Sequence, residues 1–187
     1  MEMFDDDVAR QAEDAWNLFA ELVPALDARS HMANVEAEQL LASPISEKLA
    51  TCLLLIGRRP QRSYCLTDKQ LHEIAAEDMT PGRAHYEHDV DESPGIYVFI
   101  SLVERQIYKV GQSANLRSRI TSGHLRYGDN LSESNLIDFC RFRNADWPQC
   151  IVDGEFTALV FPLHGSTDEE RCFIEAGLQS LLNPLMP

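Results

Sequence analysis

The spacing of apolar side chains divides the chain into two stretches with different periods. In the first, Val8, Ala12, Ala15, Trp16, Phe19, Leu22 and Leu26 recur every three to four residues, which marks a helix with one apolar face. That helix is expected from Asp7 to an end between Asp27 and Ser30, with Pro24 as a kink or earlier stop and with Trp16 and Phe19 on the packing face. Shorter helices are expected over 34–41 and 46–56. The latter turns Leu49, Leu53 and Ile56 inward and is closed by Gly57-Arg58-Arg59-Pro60. Thr67-Asp68-Lys69-Gln70 is a capping box that opens another helix, carrying Leu71, Ile74 and Ala75. Residues 77–94 then turn acidic and irregular around Pro81 and Gly82, the composition of a linker.

At Gly95 the period changes. Gly95 to Ile100 and Gln106 to Gly111 are two short runs of Ile, Val, Tyr and Phe, joined by Ser101 to Arg105, and they predict a β-hairpin. Ser113 is a candidate cap for a helix from Ala114 to near Ser122, with Leu116 and Ile120 inward and Gly123 at its end. Residues 128–134 read as a turn-rich loop, 135–139 as a short helix, and 143–154 as a polar insertion. Phe156 to Leu163 is apolar throughout and predicts a third strand. Thr167-Asp168-Glu169-Glu170 is a second capping box, and its helix runs through Glu175 to near Leu182. The fold class is therefore α+β. A helical N-terminal region (1–80) and an acidic linker (81–92) precede a small domain (93–187) with a three-stranded antiparallel sheet flanked by helices.

The chain has 187 residues and a net charge of −14. Residues 1–92 carry 8 basic against 19 acidic side chains, a net of −11, and residues 93–187 carry 8 against 11, a net of −3. A uniformly basic nucleic-acid surface is excluded. The arginines and lysines between 105 and 143 still allow a local basic face in the second half. The acidic helical half suits docking to a protein partner or self-association. No apolar run is long enough to span a membrane and the N-terminus is acidic, so a cytoplasmic protein without a membrane partner is expected. The five cysteines (Cys52, Cys65, Cys140, Cys150 and Cys172) form no Cys-x-x-Cys pair and are expected to be reduced thiols. His72, His85 and His88 invite a metal reading, but His85 and His88, three apart, have no helix to align them and no cysteine accompanies them, so metal binding there is not expected.

Three features suggest chemistry. An antiparallel hairpin can bring Tyr97 and Tyr108 close together on one face. Arg117 and Arg119, two apart on a helix, cannot share a face, so at most one points to a site beside the hairpin. Glu175 lies at the edge of its helix's apolar stripe, and a partly buried carboxylate needs a partner such as a divalent cation.

These motifs together resemble the GIY-YIG nuclease family. Gly95-Ile96-Tyr97 is followed by Tyr108-Lys109-Val110-Gly111, then by Asn115-Leu116-Arg117-Ser118-Arg119, and near the C-terminus by Phe173-Ile174-Glu175-Ala176-Gly177-Leu178 with Pro184 beyond. The resemblance spans about Ser93 to Pro187, half the chain. It implies a DNA endonuclease using Mg²⁺ or Mn²⁺. Tyr97 would be the general base or water orienter, Arg119 would hold the phosphate, and Glu175 would hold the cation. Tyr108 and His124 are further catalytic candidates, while Lys109, Gly111, Arg117 and Arg126 would contact substrate. A phenol with an ordinary pKa of about 10 needs cationic help to act as a base. The second motif has one residue more than Tyr-Ile-Gly, and simple alternation along the strand would turn Lys109 away from the site. Pro187 stands where the family often has asparagine. The alternative reading is a non-catalytic module of the same fold that binds nucleic acid or a protein.

Overall fold

The computed structural model describes residues 3–22, 63–67, 69–71, 73–74, 90–125, 136 and 156–186. The helices expected over 34–41 and 46–56, the loop at 128–134, and Arg126, His72, His85 and His88 lie outside the described residues.

The core is a four-stranded antiparallel sheet: β1 (Tyr64–Leu66), β2 (Gly95–Ser101), β3 (Gln106–Ser113) and β4 (Phe156–Pro162), in the order β1-β4-β2-β3. The three strands read from sequence are present. The fourth, β1, comes from the stretch expected to be wholly helical. β2 and β4 are buried along their full length, which explains why they read as continuous apolar runs without alternation.

Both faces of the sheet are covered. On one face Ile96, Val98, Ile100, Ile107, Val110, Leu159 and Phe161 pack against helix α1 (Met3–Leu22) and the C-terminal helix α3 (Asp168–Leu182). The α1 contacts include Trp16 edge-on to Phe161 at 5.5 Å, and Ala15, Leu18 and Phe19 are buried. On the other face Tyr97, Phe99, Tyr108, Phe156, Ala158 and Val160 pack under the short helix α2 (Leu116–Ile120) and the turn that continues it. Residues 1–80 and 93–187 were expected as separate units. In the fold the described parts of the first stretch supply a strand and a covering helix to the sheet of the second. The linker expected over 81–92 is described from Val90 on. There it is part of the core: Val90 is buried, and the Asp91 and Ser93 carbonyls accept from the first turn of α2.

Thr157 stands on β4 opposite Ile100, fully buried, and its hydroxyl has no hydrogen-bond partner among the described residues. Valine has the same shape without the stranded oxygen. Thr157→Val is therefore expected to leave stability unchanged or raise it by about 1 kcal/mol, as read by chemical denaturation. A loss of more than that would mean the hydroxyl has a partner.

Candidate active site

The site begins at Tyr97 on β2. Its cross-strand neighbour on β3 is Gly111, and the phenol lies directly over that residue. A Cβ on Gly111 would fall 2.1 Å from the Tyr97 oxygen and 2.2 Å from Cζ. The ring is wedged edge-on between Phe99 and His124, with centroids 5.6 and 5.1 Å away. Its oxygen lies 2.7 Å from His124 Nε2 and accepts a hydrogen bond from Arg119 Nε at 3.2 Å.

Arg119 and His124 come from α2 and its extension. The cap of α2 is Asn115, two residues beyond the expected Ser113, and its side chain accepts from Ser118 N. Ser113 instead closes a tight turn, accepting from Asn115 N and donating to Asn115 O. Gly123 does not end the helix. The chain continues through Thr121–Leu125 as one wide π turn, whose i→i+5 bonding brings residues five apart toward the same side. Arg119 and His124 are five apart, and both reach Tyr97. The Arg119 side chain crosses Gly123 closely; a Cβ there would lie 3.1 Å from Arg119 Cδ.

Burial holds both partners of the Tyr97–His124 pair neutral. It raises the Tyr97 phenol above its ordinary pKa, with the Arg119 charge opposing. It pushes the His124 imidazole well below its ordinary value, assisted by the charges of Arg119 and Lys109. Arg119 Nε–H occupies one lone pair of the phenol oxygen. The phenol oxygen and Nε2 share one hydrogen bond, its direction set by the imidazole tautomer. Nδ1 is buried without a hydrogen-bond partner among the described residues.

With its folded pKa depressed, His124 stays neutral in the fold but takes up a proton in the unfolded chain below about pH 6.5. The unfolded state then binds more protons, so stability falls as pH drops below that value, by up to about 1.4 kcal/mol per pH unit from this one group. His124→Phe is expected to flatten that part of the stability–pH curve. An unchanged slope would mean that His124 protonates freely in the fold.

Glu175 arrives from α3, which starts at the Thr167–Glu170 capping box and runs along the outer edge of β3. That edge would otherwise expose unpaired backbone groups. Gln179 donates to the Val110 carbonyl at 3.1 Å, and the Gln112 backbone N–H donates to the Glu175 carboxylate. The C-terminal tail continues the cover, with Leu185 N and Met186 N donating to the Ile107 and Tyr108 carbonyls. Half-burial raises the Glu175 pKa, opposed by the Gln112 N–H and then by the charges of Lys109 and Arg119.

Lys109 requires a correction. The β2–β3 register is broken by a bulge: Phe99 faces Lys109 and Ile100 faces Ile107, leaving Tyr108 as the extra residue. Ile107 and Val110 stay on the α3 face, while Tyr108, Lys109 and Gly111 all fall on the Tyr97 side. Lys109 is therefore on the site face. It is only 5% exposed, and its pKa is lowered by burial and by Arg119, with Glu175 opposing.

Tyr108 and Arg117 do not join the site. The Tyr108 hydroxyl donates to Glu104 at the hairpin tip, and its ring packs edge-on against Phe156 at 4.6 Å. Arg117 donates to the Val90 carbonyl and pairs with Glu92 at 2.6 Å. Gly111 makes room for Tyr97 and has no side chain to offer substrate. Arg171, 3% exposed, went unnoticed in the sequence. It donates to Gln112 Oε1, Ser166 and Asp168, tying the first turns of α3 to the end of β3. One signal was available: Arg171 lies one helical turn before Glu175, on the same side.

No known protein family, curated protein or solved structure matches the chain. What the site can do follows from its own groups. Two cations, Arg119 and Lys109, one carboxylate, Glu175, and a neutral phenol–imidazole pair meet at the β3 edge. Among the described residues no three His, Cys, Asp or Glu side chains gather as a metal cage. A single half-buried carboxylate fits Mg²⁺, which keeps several waters and shares its shell with substrate phosphate.

Proposed function

We propose that the chain is a divalent-cation-dependent endonuclease that hydrolyses DNA phosphodiester bonds, of the GIY-YIG type its motifs resemble. The observation that supports this reading is the hydrogen-bonded set Arg119–Tyr97–His124 with Glu175 within electrostatic reach, assembled from a strand and two helices. Hydrolysis needs an oriented water and charge stabilisation on the phosphoryl oxygens. Arg119 spends only Nε on Tyr97, and its terminal nitrogens have no ion pair among the described residues. They are the fork that holds the phosphate.

Tyr97 acts as the water orienter. With Nε2 of His124 as the acceptor, the phenol donates to His124, accepts from Arg119 and keeps a second lone pair for a proton of the attacking water. His124 fixes the direction of the phenol proton. Glu175 would hold the cation, and a bound Mg²⁺ or Mn²⁺ would supply Lewis-acid polarisation of the phosphoryl group.

A second reading is favoured by one feature. The net charge of −14 is unusual for a protein that grips DNA unaided, and the same cluster would serve a module that binds nucleic acid or a protein without cutting. Incubating the full chain with plasmid and branched DNA separates the two. The nuclease reading requires cleavage with Mg²⁺ or Mn²⁺ that stops in chelator. Binding without cleavage under every metal condition supports the module.

A further inference from the structure

We infer that Arg171 and Gln112 are positioning residues for Glu175, fixing the rotation and register of α3 against the end of β3 so that the carboxylate stands in one place. The inference rests on the nuclease reading for the cation that this carboxylate would hold, and its residues lie outside the motifs that suggested that reading.

Three polar residues of α3, Arg171, Glu175 and Gln179, follow one another at intervals of four and so lie on one side of the helix. Each meets the same strand. Arg171 Nε donates to the Gln112 side-chain oxygen at 3.3 Å, the Gln112 backbone N–H donates to the Glu175 carboxylate, and Gln179 donates to the Val110 carbonyl at 3.1 Å. The carboxylate is the middle member, with an anchor one turn before it and one turn after. A slide of α3 by one turn, about 5.4 Å, would break all three bonds at once.

The Arg171 side chain is fixed along its whole head. It is buried, and all three guanidinium nitrogens are used: Nε on Gln112, Nη1 on the carbonyl and hydroxyl of Ser166 at 2.7 and 3.1 Å, and Nη2 on Asp168. Packing alone would be served by an apolar side chain, since a guanidinium costs free energy to bury. What the arginine adds is direction. One planar group ties the segment before α3, the first turn of α3 and the end of β3 together. Gln112 is the other half of the link. Its side-chain amide spans two successive residues of α3, accepting from Arg171 and donating to Cys172 Sγ at 3.6 Å. Its backbone N–H takes one lone pair of the Glu175 carboxylate and leaves the others for a cation. Gly111, the residue before it, seats the Tyr97 phenol. Adjacent residues of β3 thus place the water orienter and the cation ligand.

Cation binding and cleavage are read separately. Mn²⁺ is titrated into the full chain without DNA, and the free ion is followed by electron paramagnetic resonance. Glu175→Ala is expected to lose the site. Gln112→Leu keeps the backbone N–H but drops the bond to Arg171, and Arg171→Met drops the same bond from the other side. Each should weaken Mn²⁺ binding by about 10-fold. Because both act through one bond, the double variant should also be weaker by about 10-fold, rather than by the roughly 100-fold of two independent losses. In cleavage, the same variants should need about 10-fold more Mg²⁺ for half-maximal rate and regain most of the wild-type rate at saturation. Thr167→Ala separates this from a loosened helix: it removes the cap of α3 and should lower the melting temperature without changing Mn²⁺ affinity. Should Arg171→Met fail to fold, Gln112→Leu carries the test. Unchanged Mn²⁺ affinity in folded Gln112→Leu, or an equal loss in Thr167→Ala, overturns the inference and leaves the nuclease standing if the wild type still cuts. Gln112-dependent Mn²⁺ binding by a wild type that never cuts keeps the positioning role and discards the nuclease. A folded wild type that takes up no Mn²⁺ overturns the inference outright.

Discussion

Arg119→Ala is expected to lower the rate of DNA cleavage by about 10² to 10³-fold, or roughly 3–4 kcal/mol of transition-state stabilisation. Arg119 has two tasks at once. Its Nε–H fixes the Tyr97 oxygen at 3.2 Å, and its terminal nitrogens, which have no ion pair among the described residues, are the proposed phosphate fork. Removing it frees the phenol and subtracts the cation in one step. Lysine restores charge but not the fork, so Arg119→Lys should recover little of the loss. The fold should tolerate both changes, because Arg119 is only partly buried and lies over Gly123, where shorter side chains leave no clash. Single-turnover kinetics beside a thermal melt check this. Full activity in Arg119→Ala would remove Arg119 from the mechanism.

Gly111→Ala is expected to destabilise the protein by about 3 kcal/mol and to abolish cleavage. One methyl group would sit 2.1 Å from the phenol oxygen, and the ring cannot swing aside cheaply because Phe99 and His124 hold it on either side. Moving it breaks the bonds to His124 and Arg119 together and strands buried polar groups. Tyr97→Phe is the contrasting variant. It keeps the ring and deletes only the oxygen, so stability should fall by about 1 kcal/mol while cleavage is lost. A stable, active Gly111→Ala would show that the phenol does not rest on Gly111 in solution.

The same residues show which parts of the fold could be read from the sequence. β2, β3, β4 and α3 were legible because their signals are local: β-branched and aromatic runs, and the Thr167–Glu170 box. β1 was not, because three residues between polar neighbours carry no period and gain their conformation from pairing with Leu159 and its neighbours on β4. The bulge left a trace that went unread. Ile96, Val98 and Ile100 alternate strictly on β2, whereas Ile107 and Val110, which pack with them, are three apart on β3. That odd spacing demands an extra residue, and it reverses the side assigned to Lys109. His124 was nominated by the resemblance but not by its helix, since glycine at 123 reads as a stop. The π turn runs through it to the buried Leu125, with the Arg119 side chain lying close over the glycine. Tyr108 looked equivalent to Tyr97 because composition does not reveal which phenol faces a glycine and which faces a carboxylate.

The most direct measurement is metal-dependent nicking of supercoiled plasmid by the wild-type chain beside Glu175→Ala, both shown to be folded by their thermal transitions. The nuclease account predicts nicking by the wild type with Mg²⁺ or Mn²⁺, none in chelator, and none by Glu175→Ala at any metal concentration. Equal nicking by the two proteins, or none by a folded wild type on any DNA, would contradict it.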